Sequence, residues 1–339
     1  MNFKNNKCLI IAEAGVNHNG STDIAKKLID NAVEAGVDAI KFQTFKAENL
    51  VTKNAPKATY QKNSTGDGSQ LDMLKKLELS LEQHTELIEY CKNKGILFLS
   101  TPFDFESVDL LEKFDIAMYK IGSGDLTNIP LLRYIARLGK PMIVSTGMAN
   151  LGEIECAVNA IKNEGNKDIM LLHCTSNYPT AYEDVHLNSM ITMKNSFDLD
   201  IGYSDHTVGI EVSIAAVAMG AKVIEKHFTL DKNMEGPDHK ASLNPKELKE
   251  MVASIRNIEF ALGSKEKKCR DNEKNTKLVA RKSIVAALNI KKGDVITKDN
   301  ITFKRPETGL SPMYTDELIG KIATEDIMFD EQINFSNVK

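Results

Sequence analysis

The 339-residue chain has no tryptophan, five cysteines, nine prolines and a net charge of only −4. Each scarcity excludes something. Cys8, Cys91, Cys156, Cys174 and Cys269 are odd in number, widely spaced and never paired as CxxC. They read as reduced thiols of a cytoplasmic protein, not as a disulfide framework. Lysine and arginine total 43 against 47 aspartates and glutamates, with no long run of one sign. No basic face for nucleic acid is expected. No apolar stretch approaches the roughly 18 residues of a membrane span, so no membrane partner is expected. The opening MNFKNNKCLIIAEAG does not read as a signal peptide, because its apolar run is short and Glu13 interrupts it.

What is present is alternation. Short apolar, β-rich runs occur at 8–15, 39–45, 96–102, 118–124, 142–147, 169–174, 200–206 and 222–228. Continuous apolar runs are expected of strands buried on both faces of a parallel sheet. Amphipathic helical patterns lie between them at 22–35, 81–94, 105–114, 128–138, 151–163, 208–219 and 245–262. Gly36 gives a stop signal; Asn150 and Asn244-Pro245 give start signals. This order predicts an α/β fold, a (β/α)8 TIM barrel. The rival, a doubly wound open sheet, would normally place GxGxxG after the first strand. Here VNHN separates Gly15 from Gly20. Residues 46–70 form a long polar connection, either functional or simple surface elaboration. The predicted division is a barrel over 1–264, a linker over 265–280 and a small β-rich domain over 281–339. That last domain is near the lower size limit for folding alone, so docking on a barrel is expected to add burial.

In such a barrel, chemistry belongs at the C-terminal ends of the strands. Those ends supply Glu13, Lys41 with Gln43, Thr101, Lys120 with Ser123, Ser145, His173, Ser204-Asp205-His206 and Glu225-Lys226-His227. A single hydroxyl at a strand end is usually a cap or a turn former; the repetition is what points to a site. Lys41 and Lys120 interrupt apolar runs, and a buried lysine is costly unless it is paired or faces a ligand. With the hydroxyls of Thr101, Ser123, Ser145 and Ser204 they suit a phosphate or a carboxylate. Pairing with Glu13 or Glu225 is the structural alternative. His206 and His227 end neighbouring strands and suit a divalent ion with open positions. His173 and His18 read as structural, with an indirect supporting role as the sharper option for His18.

The strings IAEAGVNHNG, KFQTFKA, LSTPFD, YKIGSGD, STGMA, LLHCTSNYPT, GYSDHT and EKHFTLDKNMEGPDHKASL resemble the N-acetylneuraminate (sialic acid) synthase family, which includes legionaminic acid synthases. ARKSIVA and FKRPETGLSP resemble its C-terminal antifreeze-like (SAF) domain. The resemblance implies condensation of phosphoenolpyruvate with an open-chain N-acetylhexosamine and water, giving a nine-carbon 2-keto acid and phosphate by C–O cleavage. It implies that Lys41, Thr101, Lys120, Ser123, Ser145 and Ser204 hold phosphoenolpyruvate. His206 and His227 would hold a divalent metal: manganese, with magnesium or cobalt as alternatives. Glu13, Gln43, Tyr178 and Asp238 would bind the sugar. Arg305 would reach a partner's site in a domain-swapped homodimer. The family's SGE is SGD here, so Asp125 is expected to take over the role of the glutamate, orienting or deprotonating water. N-acetylmannosamine is the first expectation for the acceptor. The alternative is 2,4-diacetamido-2,4,6-trideoxymannose, as in a legionaminic acid synthase. A Schiff-base aldolase and a non-catalytic carbohydrate binder are the competing classes, which borohydride trapping and chelation respectively would expose.

Overall fold

The computed structural model describes residues 7–339, with the side chains of residues 59, 60 and 63 outside that description. The N-terminal reading therefore falls partly outside the described residues. The chain divides into two compact units, one ending at Gly263 and one running Ser264–Lys339.

In the first unit eight parallel strands form a nearly closed barrel. They are β1 (Leu9–Gly15), β2 (Ala39–Thr44), β3 (Leu97–Pro102), β4 (Tyr119–Ile121), β5 (Met142–Ser145), β6 (Ile169–Cys174), β7 (Asp200–Asp205) and β8 (Val223–His227). The hydrogen-bonded order is β3-β2-β1-β8-β7-β6-β5-β4. The helices between them start and stop where local chemistry dictates. Ser21 accepts from Ile24 N to open Thr22–Ala35, and Gly36, at φ 80°, closes it. Asn150 with Glu153 and Asn244 with Glu247 form reciprocal caps on Leu151–Asn163 and Pro245–Leu262.

Side chains alternate along each strand, so the strands have two faces with different duties. One face, including Ile10, Ala12, Ile40, Tyr119, Val144 and Leu171, packs against the helices. The other fills the barrel with Ile11, Ala39, Leu99, Met118, Ile143, Leu172 and Val223. Gly202 belongs to this inner layer and has no room for more: an added Cβ would lie 2.5 Å from Leu172 Cδ2 and 2.6 Å from Val223 O. Continuing two residues along the same inward face reaches Glu13, Lys41, Thr101, Lys120, Ser145, Cys174, Ser204 and Glu225. The interior therefore changes from apolar to polar at the strand ends.

Two stretches of the first unit depart from the sequence reading. Ser189–Phe197 is a helix that SMITMKNSF hardly advertises. It buries only Met190 and Met193, and its β-branched, Ser and Asn residues are weak helix formers. The long connection after β2 is not a plain loop, because it holds short helices at Ala47–Leu50, Thr59–Thr65 and Gln70–Lys75.

In the second unit, Ser283–Ala286 and Ile301–Lys304 pair antiparallel as β9 and β10. Isolated bridges such as Ile290↔Ile327 and Ala323↔Val338 extend the β character. Its core gathers Ile284, Ile290, Ile296, Ile301, Leu318, Ile327 and Ile333. Lys274–Ala280, expected to be linker, is a helix.

Candidate active site

The polar ring closes over a cavity of about 210 Å³ at the C-terminal ends of the strands. Glu13, Lys41, Gln43, Thr101, Lys120, Ser123, Ser145, Tyr178, Ser204, His206, His227 and Asp238 all line it. These residues are spread from position 13 to position 238 of the sequence. The barrel brings them together because each follows an inward-facing apolar residue on its own strand or lies on the loop just beyond.

The two lysines are buried, and both are paired. Lys41 Nζ lies 2.7 Å from Glu13 Oε2 and 3.7 Å from Glu225 Oε2, and donates to Thr101 Oγ1 at 3.0 Å. Lys120 Nζ lies 3.3 Å from Glu225 Oε1 and donates to Ser145 Oγ at 2.7 Å. Ser204 Oγ donates to Glu225 Oε1 at 2.9 Å. The structural alternative for the lysines is thus realised within the pocket itself. Glu225 joins both ammonium groups and is the centre of the network. In the sequence it stood out only as a possible lysine partner.

Burial sets the proton affinities. It pushes Glu13 up to about 7, against the pull of Lys41. Glu225 is also buried, but Lys120 and Lys41 outweigh that and hold it down at about 2. Burial lowers Lys120; for Lys41 the two carboxylates overcome burial and raise it. Asp238 is raised by burial to about 6.

The two histidines face each other with ring centroids 5.4 Å apart, and Tyr178 lies 4.1 Å from the His206 ring. His206 Nδ1 donates to Thr175 O at 2.7 Å; burial lowers its proton affinity, but Cys174 and that bond outweigh burial and raise it. Burial, His206 and Lys41 push His227 well down, so it is neutral. Its buried Nδ1 has no hydrogen-bond partner among the described residues and lies 3.9 Å from Asp238 Oδ2. An imidazole with an unused nitrogen beside a second whose Nδ1 is hydrogen-bonded fits a metal ion. No group of three or more His, Cys, Asp or Glu side chains suited to a metal occurs among the described residues. A metal held by this pair would complete its coordination with water or substrate oxygens.

Other expected residues fall elsewhere. Asp125 ends a short 3-10 turn, accepts from Asn128 Nδ2 at 3.0 Å and does not line the cavity, although its neighbours Ser123 and Gly124 do. Burial raises its carboxyl. Arg305 is exposed in the second unit, ahead of Pro306. Asp205 and Lys226 sit one residue off the inward parity and pair with each other instead, at 2.9 Å. His173 also points outward, bonding Val185 O at 2.7 Å, and His18 is buried beside Phe42. Both have lowered proton affinity, His18 to about 4, through burial.

The sequence reading did not assign Cys174, Val16, Met73, Leu74, Leu77 and Phe103 to the site, yet all of them line the cavity. Strand parity brings in Cys174, the ends of β1 and β3 bring in Val16 and Phe103, and only the packing of the connection after β2 brings in Met73, Leu74 and Leu77. Cys174 lies 3.8 Å from His206 Nδ1. Burial would raise its thiol, but His206 and hydrogen bonds bring it below the usual value.

Comparison with known proteins gives the family. Residues 28–267 match the NeuB family and residues 281–339 match the SAF domain. The chain is 54% identical to an N,N'-diacetyllegionaminic acid synthase of Campylobacter jejuni, over 96% of this chain and 99% of that protein. It is 49% identical to one of Legionella pneumophila, over 92% and 89%. A crystal structure of N-acetylneuraminic acid synthetase from Leptospira borgpetersenii, in complex with citrate, superposes with a TM-score of 0.72 at 36% identity. It covers 80% of this chain and 90% of that one. The chain belongs to the NeuB family of phosphoenolpyruvate-dependent synthases, with a SAF domain at its C-terminal end.

Proposed function

We propose that the chain condenses phosphoenolpyruvate with 2,4-diacetamido-2,4,6-trideoxymannose and water to give N,N'-diacetyllegionaminic acid and phosphate. The two relatives described above are named for that product, which favours the diacetamido sugar over N-acetylmannosamine. The observation that carries the reading is the pocket: two buried ammonium groups and their hydroxyls, together with two buried imidazoles 5.4 Å apart.

Phosphoenolpyruvate brings a phosphate and a carboxylate to Lys41, Lys120, Thr101, Ser123, Ser145 and Ser204. These anions compete with Glu13 and Glu225 for the ammonium groups. Glu13, held near 7, releases Lys41 by taking up a proton, while Glu225 keeps its charge and holds both lysines in place. Gln43 Nε2, which donates to Glu13 Oε1 at 3.2 Å, fixes the other oxygen of that carboxyl. Carbon 3 of phosphoenolpyruvate attacks the aldehyde carbon, and the aldehyde oxygen gains a proton. Protonated Glu13 would supply it. Water then adds to carbon 2, and phosphate leaves with the bridging oxygen. His206 and His227 would hold a divalent ion, manganese being the first choice and magnesium or cobalt the alternatives, which when bound supplies Lewis-acid polarisation of the sugar aldehyde. Tyr178 and Asp238 border that corner and bind the sugar. Arg305 of the partner subunit would complete the site in a homodimer.

The test is phosphate release from phosphoenolpyruvate with each sugar, after chelation and after adding back manganese. Release that needs both the diacetamido sugar and the metal is expected. Equal release without sugar, or undiminished release in chelator, would overturn the reading. Size-exclusion chromatography with light scattering, together with the activity of Arg305→Ala, tests the homodimer.

A further inference from the structure

Asp205 and Lys226 do not line the cavity, yet each immediately precedes one of the two histidines. Asp205 ends β7 and is followed by His206; Lys226 lies on β8 and is followed by His227. The two are register partners where those strands pair, and their charged groups meet at 2.9 Å, wholly buried. Alternation turns both side chains away from the cavity that the histidines line. One ion pair therefore ties together, from behind, the two backbone segments that carry the candidate metal ligands.

The same pair governs how the chain leaves β7. Asp205 Oδ1 accepts from Thr207 N at 2.9 Å and from Thr207 Oγ1 at 2.8 Å, so the carboxylate spans His206 in a side-chain turn. Lys226 Nζ donates to Thr207 O at 2.6 Å, which couples that turn to β8. Ser213 Oγ donates to Asp205 Oδ2 and anchors it to the helix Glu211–Ala218. The histidine backbones are fixed on their other sides as well: His206 O accepts from Thr180 N at 2.9 Å and His227 O from Leu243 N at 2.8 Å. The His227 ring has no such support at Nδ1, which lacks a hydrogen-bond partner among the described residues. Its placement leans on the backbone next to Lys226.

We infer that the Asp205–Lys226 pair is a positioning device for the metal ligands: it sets the spacing of His206 and His227, whose ring centroids lie 5.4 Å apart, and thereby how tightly a divalent ion is held. This role rests on the metal reading above and adds the residues that make histidines from two strands act as one site. A ligand pair preset at its binding distance loses little freedom when the ion arrives. Electrostatics alone gives Lys226 the opposite effect, because losing an ammonium group close to a bound cation should tighten the cation.

The experiment titrates metal-free, full-length protein with manganese alone and reads the free ion by electron paramagnetic resonance. Wild type is expected to bind, and His206→Ala and His227→Ala to lose the ion. The double variant Asp205→Asn, Lys226→Met, which removes both charges, is expected to bind about tenfold or more weakly, as loss of a supporting shell does. Lys226→Met alone should also weaken binding. Thr207→Val keeps every charge and removes one bond of the turn; it should weaken binding by a smaller factor, and it stands in if the other variants do not fold. Thermal unfolding shows which variants are folded at the titration temperature. Wild-type manganese affinity in every folded variant, with only the melting temperature lowered, overturns the inference and leaves the metal reading intact. Tighter binding by folded Lys226→Met overturns it too. Absence of binding by wild type, or binding that survives loss of both histidines, overturns the metal reading and the inference with it.

Discussion

Two buried ion-pair networks meet at adjacent residues of β8, Glu225 and Lys226. Lys226 on β8 pairs with Asp205 on β7, both wholly excluded from solvent. Asp205 also accepts from Thr207 N, Thr207 Oγ1 and Ser213 Oγ at 2.9, 2.8 and 2.6 Å, and Lys226 donates to Thr207 O at 2.6 Å. That outer network is saturated. The inner one, Glu13–Lys41–Glu225–Lys120, is not. Glu225 Oε2 lies 3.7 Å from Lys41 and has no hydrogen-bond partner among the described residues. Burial has also pushed one of its carboxyls into the range where it titrates near neutrality. A buried network with every bond made is a staple, whereas one with bonds to spare is waiting for a ligand.

Substitutions on the two sides should separate the roles. Lys120→Met is expected to cut kcat/KM for phosphoenolpyruvate by about 10²–10³ or more, as loss of a charged contact made to the reacting group should. Lys226→Met should alter turnover per folded molecule far less. In thermal unfolding the order reverses. Lys226→Met strands Asp205 and should cost about 3–5 kcal/mol. Lys41→Met should cost less, because Glu13 can take up a proton. A smaller effect appears with pH, in chelator. The folded pKa of Glu13, about 7, lies above its ordinary 4.5. The folded state therefore binds the extra proton, and stability falls as pH rises between those values. Glu13→Gln removes this slope, so its stability relative to wild type should rise across that window; a constant difference would contradict the assignment. Smallest of all, Asp125→Asn should change phosphate release little, since Asn128 and not the cavity holds that carboxylate. A loss comparable to that of Lys120→Met would return Asp125 to the reaction.

The strand-end lysines, hydroxyls and histidines were legible in sequence because they break apolar runs, which strands buried on both faces rarely permit. Parity was harder to read. Asp205 and His206, or Lys226 and His227, are adjacent letters, and only the alternation of an actual strand sends one inward and one outward. The helix Ser189–Phe197 was not legible because tertiary packing, not propensity, holds it. The apolar part of the cavity lining was invisible for the opposite reason. Met73, Leu74 and Leu77 look like any helix core, and their place over the barrel mouth depends on the fold of the connection around Lys57. Asp125 shows what a motif leaves open: the carboxylate is legible in the sequence, whereas the hydrogen bond it accepts from Asn128 is not.

The central claim is that the inner network holds phosphoenolpyruvate while its carbon–oxygen bond breaks. The most direct measurement is the fate of an ¹⁸O label placed in the bridging position of phosphoenolpyruvate during turnover with the diacetamido sugar. Label recovered in the released phosphate is the predicted result. Unlabelled phosphate, meaning that the phosphorus–oxygen bond was cut instead, would contradict it.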